Sequence, residues 1–158
     1  DGFGALNDRV QDICAPGDTV CDAPPGIGDA VARAHCRSIS GEMHGGFINL
    51  RSALPMNLKA RHANFRIFNG ARGDIERIIT IVDECLGRYD GPFLFGETPS
   101  LADAMYAPVC TRFRTYDVSL PRRTEAYRDT ILAWPLMTEW AADAAREPDE
   151  IEELDMEF

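Results

Sequence analysis

The segment GETPSLADAMYAP, residues 96–108, places one carboxylate, Asp103, among apolar neighbours. Ser100 precedes Asp103 by three residues, the spacing of a capping box, in which the two side chains satisfy free N–H groups of a first helical turn. The helix that follows is apolar on nearly all sides, which predicts a buried, central helix. Because a buried helix start cannot rely on water, we expect Ser100 and Asp103 to cap it. The alternative role for Asp103, a catalytic acid, finds no second titratable group nearby in the sequence.

Two amphipathic patterns precede this segment. Apolar residues recur at helical spacing over residues 29–54 and predict one long helix. The pair Gly45-Gly46 inside it either kinks the helix or lets another group approach the backbone closely. A second stripe predicts a helix over residues 74–89, after a connection at residues 56–73 that contains the turn-forming pair Asn69-Gly70.

Two shorter helices are predicted after the central one, near residues 122–133 and 135–147. Pro135 separates them, because proline suits the first helical position and disfavours a helical residue before it. No alternating strand pattern is present, so we expect an all-α fold, a helical bundle of about five to six helices. Residues 1–28 are rich in Gly, Pro and Asp and predict an irregular segment, which leaves residues 29–158 as the helical domain.

Composition excludes several classes of function. Asp and Glu outnumber Lys and Arg by 26 to 16, and the net charge of −10 disfavours a nucleic-acid partner, because such binding neutralises phosphates with cations. No stretch approaches the roughly 20 apolar residues of a membrane span. The odd number of cysteines, 5, favours a reducing compartment, and we expect a cytoplasmic protein. The C-terminus predicts a solvated acidic tail. Its acids are Glu147, Asp149, Glu150, Glu152, Glu153, Asp155 and Glu157.

A zinc site is the one metal centre that the sequence allows us to consider. Its ligands would be Cys14, Cys21, His35 and Cys36. Adjacent helical residues point about 100° apart, which separates His35 from Cys36. Structural zinc sites favour two close cysteine pairs instead. We therefore expect no metal.

The stretch GPFLFGETPSLADAMYAP, residues 91–108, resembles the C-terminal helical domain of the glutathione S-transferase family, where a capping box follows a similar lead-in. Further stretches agree in order: SGEMHGGFINLRSALPMN at residues 40–57, TRFRTYDVSLP at 111–121 and YRDTILAWPLMTEWAADA at 127–144. The resemblance covers roughly residues 29–155. It implies a parent enzyme that conjugates glutathione, as co-substrate, to a small hydrophobic electrophile, and a possible homodimer.

In that family a thioredoxin-like domain binds glutathione and activates its thiol, and no residue here matches the thiol-activating position. We therefore assign no catalytic residue and expect this chain alone to be inactive. The resemblance does imply an electrophile-pocket wall, for which the candidates are Met43, Phe47, Arg51, Tyr106 and Arg112. Ordinary core packing is the alternative and is favoured for Met43 and Phe47. Arg51 and Arg112 need a partner, either an acid of the bundle or an anionic ligand, and we expect an internal salt bridge.

The opening GFGALNDRVQDICAPGDTVCDAPP, residues 2–25, resembles the last portion of cutinases, secreted serine esterases in which a small disulfide loop holds the triad aspartate. The resemblance places Cys14, Asp18 and Cys21 in that loop. The nucleophilic serine with its elbow glycines does not occur here, and His35 does not align with the triad histidine, so an acyl-enzyme cannot form. We expect a spliced fragment, in a chimera or an artefactual reading frame. Besides the transferase, a non-catalytic helical binding or dimerisation module and an esterase remnant remain open.

Overall fold

The computed structural model describes residues 27–148 and, for side chains, residues 30–148. Within that range the fold has six helices and no strand, which confirms the prediction of an all-helical bundle. The helices are α1 (Ile27–Gly45), α2 (Ile48–Ala53), α3 (Asn69–Tyr89), α4 (Leu101–Thr115), α5 (Arg122–Ala133) and α6 (Pro135–Arg146). No helix in this part of the chain combines the length and the apolar character that a membrane span requires.

Helix α4 is the centre of the bundle. Nine of its 15 residues are buried, whereas α6 buries only Met137, so α6 lies at the periphery. Helices α1 and α5 both pack against α4. Apolar side chains on nearly every side of a helix need neighbours on every side, and this sequence pattern is why α4 lies inside.

The predicted long helix over residues 29–54 is broken into α1 and α2. Phe47 adopts the left-handed backbone conformation, with φ of 54°, and ends the regular geometry between them. A Cβ on Gly46 would lie 2.6 Å from the carbonyl oxygen of Glu42, so the backbone passes closer there than any side chain permits. Of the two readings of the glycine pair the break is observed, whereas the close contact of Gly46 is with a carbonyl of α1 itself and Gly45 has open space around it.

Helix α3 begins at Asn69, five residues before the predicted start at Asp74. The predicted start is wrong because Asn69-Gly70 favours a turn only by its local propensity, whereas Ala71 is buried and ties the segment into the bundle. Gly70 lies against the Asn49 side chain of α2. Asp74 therefore lies inside α3, and its Oδ2 accepts a hydrogen bond of 2.8 Å from the Leu50 N–H, in the first turn of α2. A carboxylate from one helix thus caps another.

The connection between α2 and α3 runs along the C-terminal end of α4. The Thr115 hydroxyl donates to the Asn57 carbonyl at 2.7 Å, and the His62 N–H donates to the Thr115 carbonyl at 2.7 Å. The Tyr116 hydroxyl donates to the Pro55 carbonyl at 2.9 Å. These bonds attach an irregular segment to the last turn of α4.

A tight turn leads the chain into α4. Phe93 and Gly96 exchange backbone hydrogen bonds of 3.1 and 3.3 Å. Gly96 has φ of 118°, a conformation that disfavours any residue with a Cβ, and a Cβ on Gly91 would lie 2.2 Å from the Gly96 backbone. The two glycines permit the tight chain reversal that places Ser100 at the start of α4.

Candidate functional site

The buried start of α4 is built around Asp103. Ser100 and Asp103 form a capping box, in which Asp103 Oδ2 accepts from the Ser100 N–H at 2.8 Å and from its hydroxyl at 2.7 Å. Asp103 Oδ1 accepts from the Leu94 N–H at 2.9 Å and from the Tyr127 hydroxyl at 3.1 Å. One carboxylate therefore ties together the turn before α4, the first turn of α4, and α5.

The chemistry of Asp103 follows from this enclosure. Its side chain is 0% exposed, so no solvent path brings a substrate to it. Burial raises the pKa of Asp103 above the usual range of aspartate, against the four donors, which favour the ionised form. Because its oxygens already accept four bonds, Asp103 is a structural anchor, not a general acid that touches a ligand.

Three of the five electrophile-pocket candidates lie in the core. Met43 and Phe47 are each 7% exposed and Tyr106 is 1% exposed. The Tyr106 hydroxyl donates to the Ile39 carbonyl at 3.3 Å, and burial raises its pKa. A phenol that is buried, protonated and bound to a carbonyl has no donor left to aim at a thiol.

The two remaining candidates, Arg51 and Arg112, lie together at the C-terminal end of α4. Arg51 Nη1 donates to the Met43 and His44 carbonyls at 3.2 and 3.4 Å. Arg112 donates through Nε to the Leu54 carbonyl at 2.9 Å and through Nη1 to the carbonyl of residue 108 at 3.1 Å. Burial, and after it the charge of Arg51, lowers the pKa of Arg112.

The internal salt bridge expected for these arginines is wrong for the part of the chain that the structure describes. The ion pairs there join Arg77 to Glu42, Arg123 to Asp83, Arg128 to Glu125 and Asp129, and Arg146 to Asp143. Instead, Arg51 binds carbonyls at the end of α1 and Arg112 binds the Leu54 carbonyl at the end of α2, as cations near helix C-termini do. Arg112 also binds the Pro108 carbonyl inside α4. Two guanidiniums thus lie within electrostatic range of each other without a carboxylate between them.

The cysteines of the described range are not reactive. Cys36, Cys85 and Cys110 are free and buried. Burial raises the pKa of each thiol, that of Cys85 to about 12. Since the thiolate is the nucleophile, these side chains are packing elements.

His35 and Cys36 point into different environments, because adjacent residues of a helix project about 100° apart. A hydrogen bond of 3.0 Å joins His35 Nδ1 to the Tyr89 hydroxyl, and the His35 ring meets Phe95 edge-on at 5.5 Å. Burial, then the charge of Arg88, lowers the pKa of His35. Within residues 30–148 no cluster of three or more His, Cys, Asp or Glu could hold a metal ion. Cys14, Asp18 and Cys21 lie outside the described residues.

Two cavities accompany these features. A small apolar one, about 10 Å³, lies between α3, α4 and α5, and Tyr106 is the only pocket candidate that lines it. The larger is an open groove of about 340 Å³ beside the start of α3, and none of the five candidates lines it. Its wall includes Phe65, Arg66, Ile67 and Arg72. Sequence reasoning missed this groove, although the absence of acids from residues 56–73 was a visible signal.

A family model described as "Glutathione S-transferase, C-terminal domain" matches residues 63–143, about half of the chain. The chain belongs to this family. The match confirms the resemblance that the central segment suggested, and it extends from the connection before α3 to the last turns of α6. Tyr106 and Arg112 fall inside the matched range, whereas Met43, Phe47 and Arg51 precede it.

A second comparison concerns a different class of protein. Over 33 residues the chain is 70% identical to a carboxylesterase Culp6 homolog from Corynebacterium glutamicum. The match covers 21% of this chain and 11% of that relative. The chain is thus similar to only about a tenth of the esterase, in agreement with a resemblance confined to a short segment.

Proposed function

We propose that this chain forms the helical part of a glutathione S-transferase-like protein, whose activity as a whole is the conjugation of glutathione to a small hydrophobic electrophile. The family match over residues 63–143 carries the proposal. The family uses glutathione, which enters here as the co-substrate, and no metal is invoked.

The described residues supply a wall rather than a thiol-activating group. Conjugation needs a thiolate, and lowering a thiol pKa needs a donor or cation aimed at the sulfur. In this proposal Met43, Phe47 and Tyr106 form the apolar base of the wall, while Arg51 and Arg112 form its polar edge. An anionic group on a bound molecule would meet two guanidiniums there that have no carboxylate partner within residues 27–148.

Turnover by the purified chain tests the proposal that the described residues form a pocket wall and do not activate the thiol. With glutathione and a generic aryl halide, we expect a rate well below the ~1 per second of an ordinary enzyme. A faster rate would mean that the chain itself activates the thiol.

Binding of an S-aryl glutathione conjugate, measured by calorimetry, tests the wall. We expect Arg51→Gln and Arg112→Gln to weaken binding roughly tenfold each, as loss of a charge-assisted hydrogen bond does, and Arg122→Gln, an exposed control, to leave it unchanged. No binding by the wild-type chain, or equal losses in all three variants, would remove the wall role.

A second candidate function is a non-catalytic binding or dimerisation module. Ile48 and Phe68 are 68% and 62% exposed, and they flank the contact between Asn49 and Gly70. Exposed apolar neighbours favour association. Sizing at two concentrations should show a dimer that Ile48→Ser/Phe68→Ser dissolves and that Leu136→Ser, at another exposed apolar site, does not. A monomer at both concentrations would contradict it.

The third candidate, an esterase remnant, is favoured only by the 33-residue match. It predicts ester hydrolysis that a serine-directed inhibitor abolishes. We also place the protein in the cytoplasm, because the three free thiols of the described range are buried and suit a reducing compartment. Subcellular fractionation with an antibody to the chain tests that placement.

A further inference from the structure

The connection before α3, together with the first turn of α3, carries positive charge without matching acids. Residues 56–73 contain Lys59, Arg61, Arg66 and Arg72 and neither Asp nor Glu, in a chain whose net charge is −10. None of the four takes part in an ion pair within the described range. Among the described residues, the side chains of Lys59 and Arg61 donate only to backbone carbonyls. Four cations are therefore available to acids from elsewhere.

Two of these cations, Arg66 and Arg72, line the groove of about 340 Å³. Its base is apolar: Phe65, Ile67 and Ile79 are partly buried against the core, and Ile75 is buried. Arg66 and Arg72 are exposed at its edge, and the acids Glu76 and Asp117 also line it. The groove thus offers apolar surface and two arginines to a segment with apolar and acidic side chains.

The C-terminal end of the described chain arrives at this connection. Lys59 Nζ donates to the Glu147 carbonyl at 2.6 Å, just after α6 ends. Residues 149–158 follow, and they combine six acids with four apolar residues. The acids are Asp149, Glu150, Glu152, Glu153, Asp155 and Glu157, and the apolar residues are Ile151, Leu154, Met156 and Phe158.

Residues 149–158 are long enough to extend from Glu147 to the groove. Lys59 and Phe65 are six residues apart, so their Cα atoms are separated by at most roughly 20 Å. Ten residues extend to roughly 33 Å, so residues 149–158 are long enough to reach Phe65, in the wall of the groove, from Glu147. A short tether also raises the local concentration of the segment to the millimolar range, so that weak contacts suffice.

We propose that residues 149–158 dock in this groove of their own chain, with their acids beside Arg66 and Arg72 and their apolar side chains on Phe65, Ile67 and Ile75. The acidic tail is then an intramolecular ligand of the bundle, held between the start of α3 and residues 117–119.

Cleavage of the tail by a glutamyl endopeptidase tests the proposal, because the rate follows the undocked fraction when docking is fast. Rates are normalised to synthetic peptides of the same tail sequence. We expect the full chain to be cut more slowly than its peptide, and Arg66→Glu/Arg72→Glu to raise its rate roughly fivefold, the effect of losing two exposed ion pairs. About 1 M salt, where screening extends ~3 Å, should act in the same direction.

Two further variants make the test specific. The control Arg37→Glu/Arg88→Glu makes the same change in net charge at exposed positions that do not line the groove, Arg88 being in the last turn of α3, and it should leave the rate unchanged. Asp149→Arg/Asp155→Arg, which keeps every glutamate, should restore protection when combined with Arg66→Glu/Arg72→Glu. Circular dichroism checks that each variant folds.

Three results would overturn the proposal. One is cleavage of the wild-type chain at the rate of the free peptide. Another is equal acceleration by the groove and control variants. The third is protection that grows with protein concentration, because the groove would then hold the tail of a second copy.

Discussion

The two ends of α4 satisfy their polar groups in opposite ways. At the N-terminal end one buried carboxylate, Asp103, accepts four hydrogen bonds from the turn, the cap and α5. At the C-terminal end the donors are Arg112, Thr115 and Tyr116, and their acceptors are backbone carbonyls of the chain that follows α2 and, for Arg112, of α4 itself. Within residues 27–148 no carboxylate forms an ion pair with Arg112 or with the cations of the α2–α3 connection.

The difference indicates that the N-terminal end of α4 contributes to stability and the C-terminal end to binding. The N-terminal end is complete in itself, because every oxygen lone pair that Asp103 can direct at a donor is in use. The C-terminal end lies beside an open groove whose arginines, Arg66 and Arg72, form no ion pair within the described range, although Glu76 and Asp117 also line it. An anionic segment or ligand therefore gains ion pairs there without displacing any of those described. Changes at the first end should therefore lower the free energy of unfolding, and changes at the second should alter binding.

The largest effect is expected at the N-terminal end. Asp103→Asn keeps the shape but turns an amide group toward donors, and it should lower the free energy of unfolding by about 3 kcal/mol or more. Urea unfolding followed by circular dichroism measures it. Asp83→Asn, which removes an exposed ion pair with Arg123, should cost about 1 kcal/mol or less. Equal losses in the two variants would erase the distinction between a buried anchor and a surface carboxylate.

At the C-terminal end Arg112→Met keeps the aliphatic stem and removes the bonds to the Leu54 and Pro108 carbonyls. We expect a loss of about 1 to 2 kcal/mol, because the Leu54 carbonyl loses its side-chain donor, whereas the Pro108 carbonyl keeps the hydrogen bond from the Thr111 hydroxyl. Arg122→Met, at an exposed position, is the control and should change the unfolding free energy little. A cost above that of Asp103→Asn would reverse the ordering of the two ends.

The break between α1 and α2 positions the carbonyls that Arg51 binds. Gly46→Ala forces the Glu42 carbonyl to move and should destabilise the fold by about 1 to 2 kcal/mol. Gly41→Ala, in the interior of α1 with open space around it, should stabilise by about 0.5 to 1 kcal/mol. Thermal unfolding of both variants shows whether each substitution lowers or raises the stability of the fold. A stabilising Gly46→Ala would show that the long helix over residues 29–54 is continuous.

The smallest expected effect is a pH dependence of the unfolding free energy that comes from His35, which contacts Phe95 in the turn before α4. Burial lowers the pKa of His35 in the folded state. As the pH falls below ~6.5, the unfolded state therefore binds the proton before the folded state does, and the unfolding free energy decreases. The loss ends once the pH passes below the pKa of folded His35. His35→Gln should flatten this part of the profile in urea titrations, and His44→Gln, an exposed histidine, should not. The idea fails if both variants keep the wild-type slope.

The start of α4 could be predicted because its signal is local. Ser100 and Asp103 lie three residues apart, and the helix after them carries apolar residues on all sides. The other two donors to Asp103, the Leu94 N–H and the Tyr127 hydroxyl, come from other parts of the chain, and no spacing announces them. The anchor was therefore visible in the sequence, but not the extent of its network.

Long-range contacts also explain the failures. Asn69-Gly70 favours a turn by itself, yet burial of Ala71 extends α3 over it. The partners of Arg51 and Arg112 were expected to be acids, because a sequence displays acids but not the free carbonyls of helix ends. Local propensity yields to tertiary packing in the first case, and helix ends supply unseen acceptors in the second.

Amide hydrogen exchange, residue by residue, tests the central claim that Asp103 makes the start of α4 the most protected part of the bundle. The amides of Leu94 and Ser100, which donate to Asp103, should exchange only through global unfolding, whereas the His62 amide at the other end of α4 should exchange through local opening. Exchange of Leu94 and Ser100 as fast as that of His62 would contradict the account.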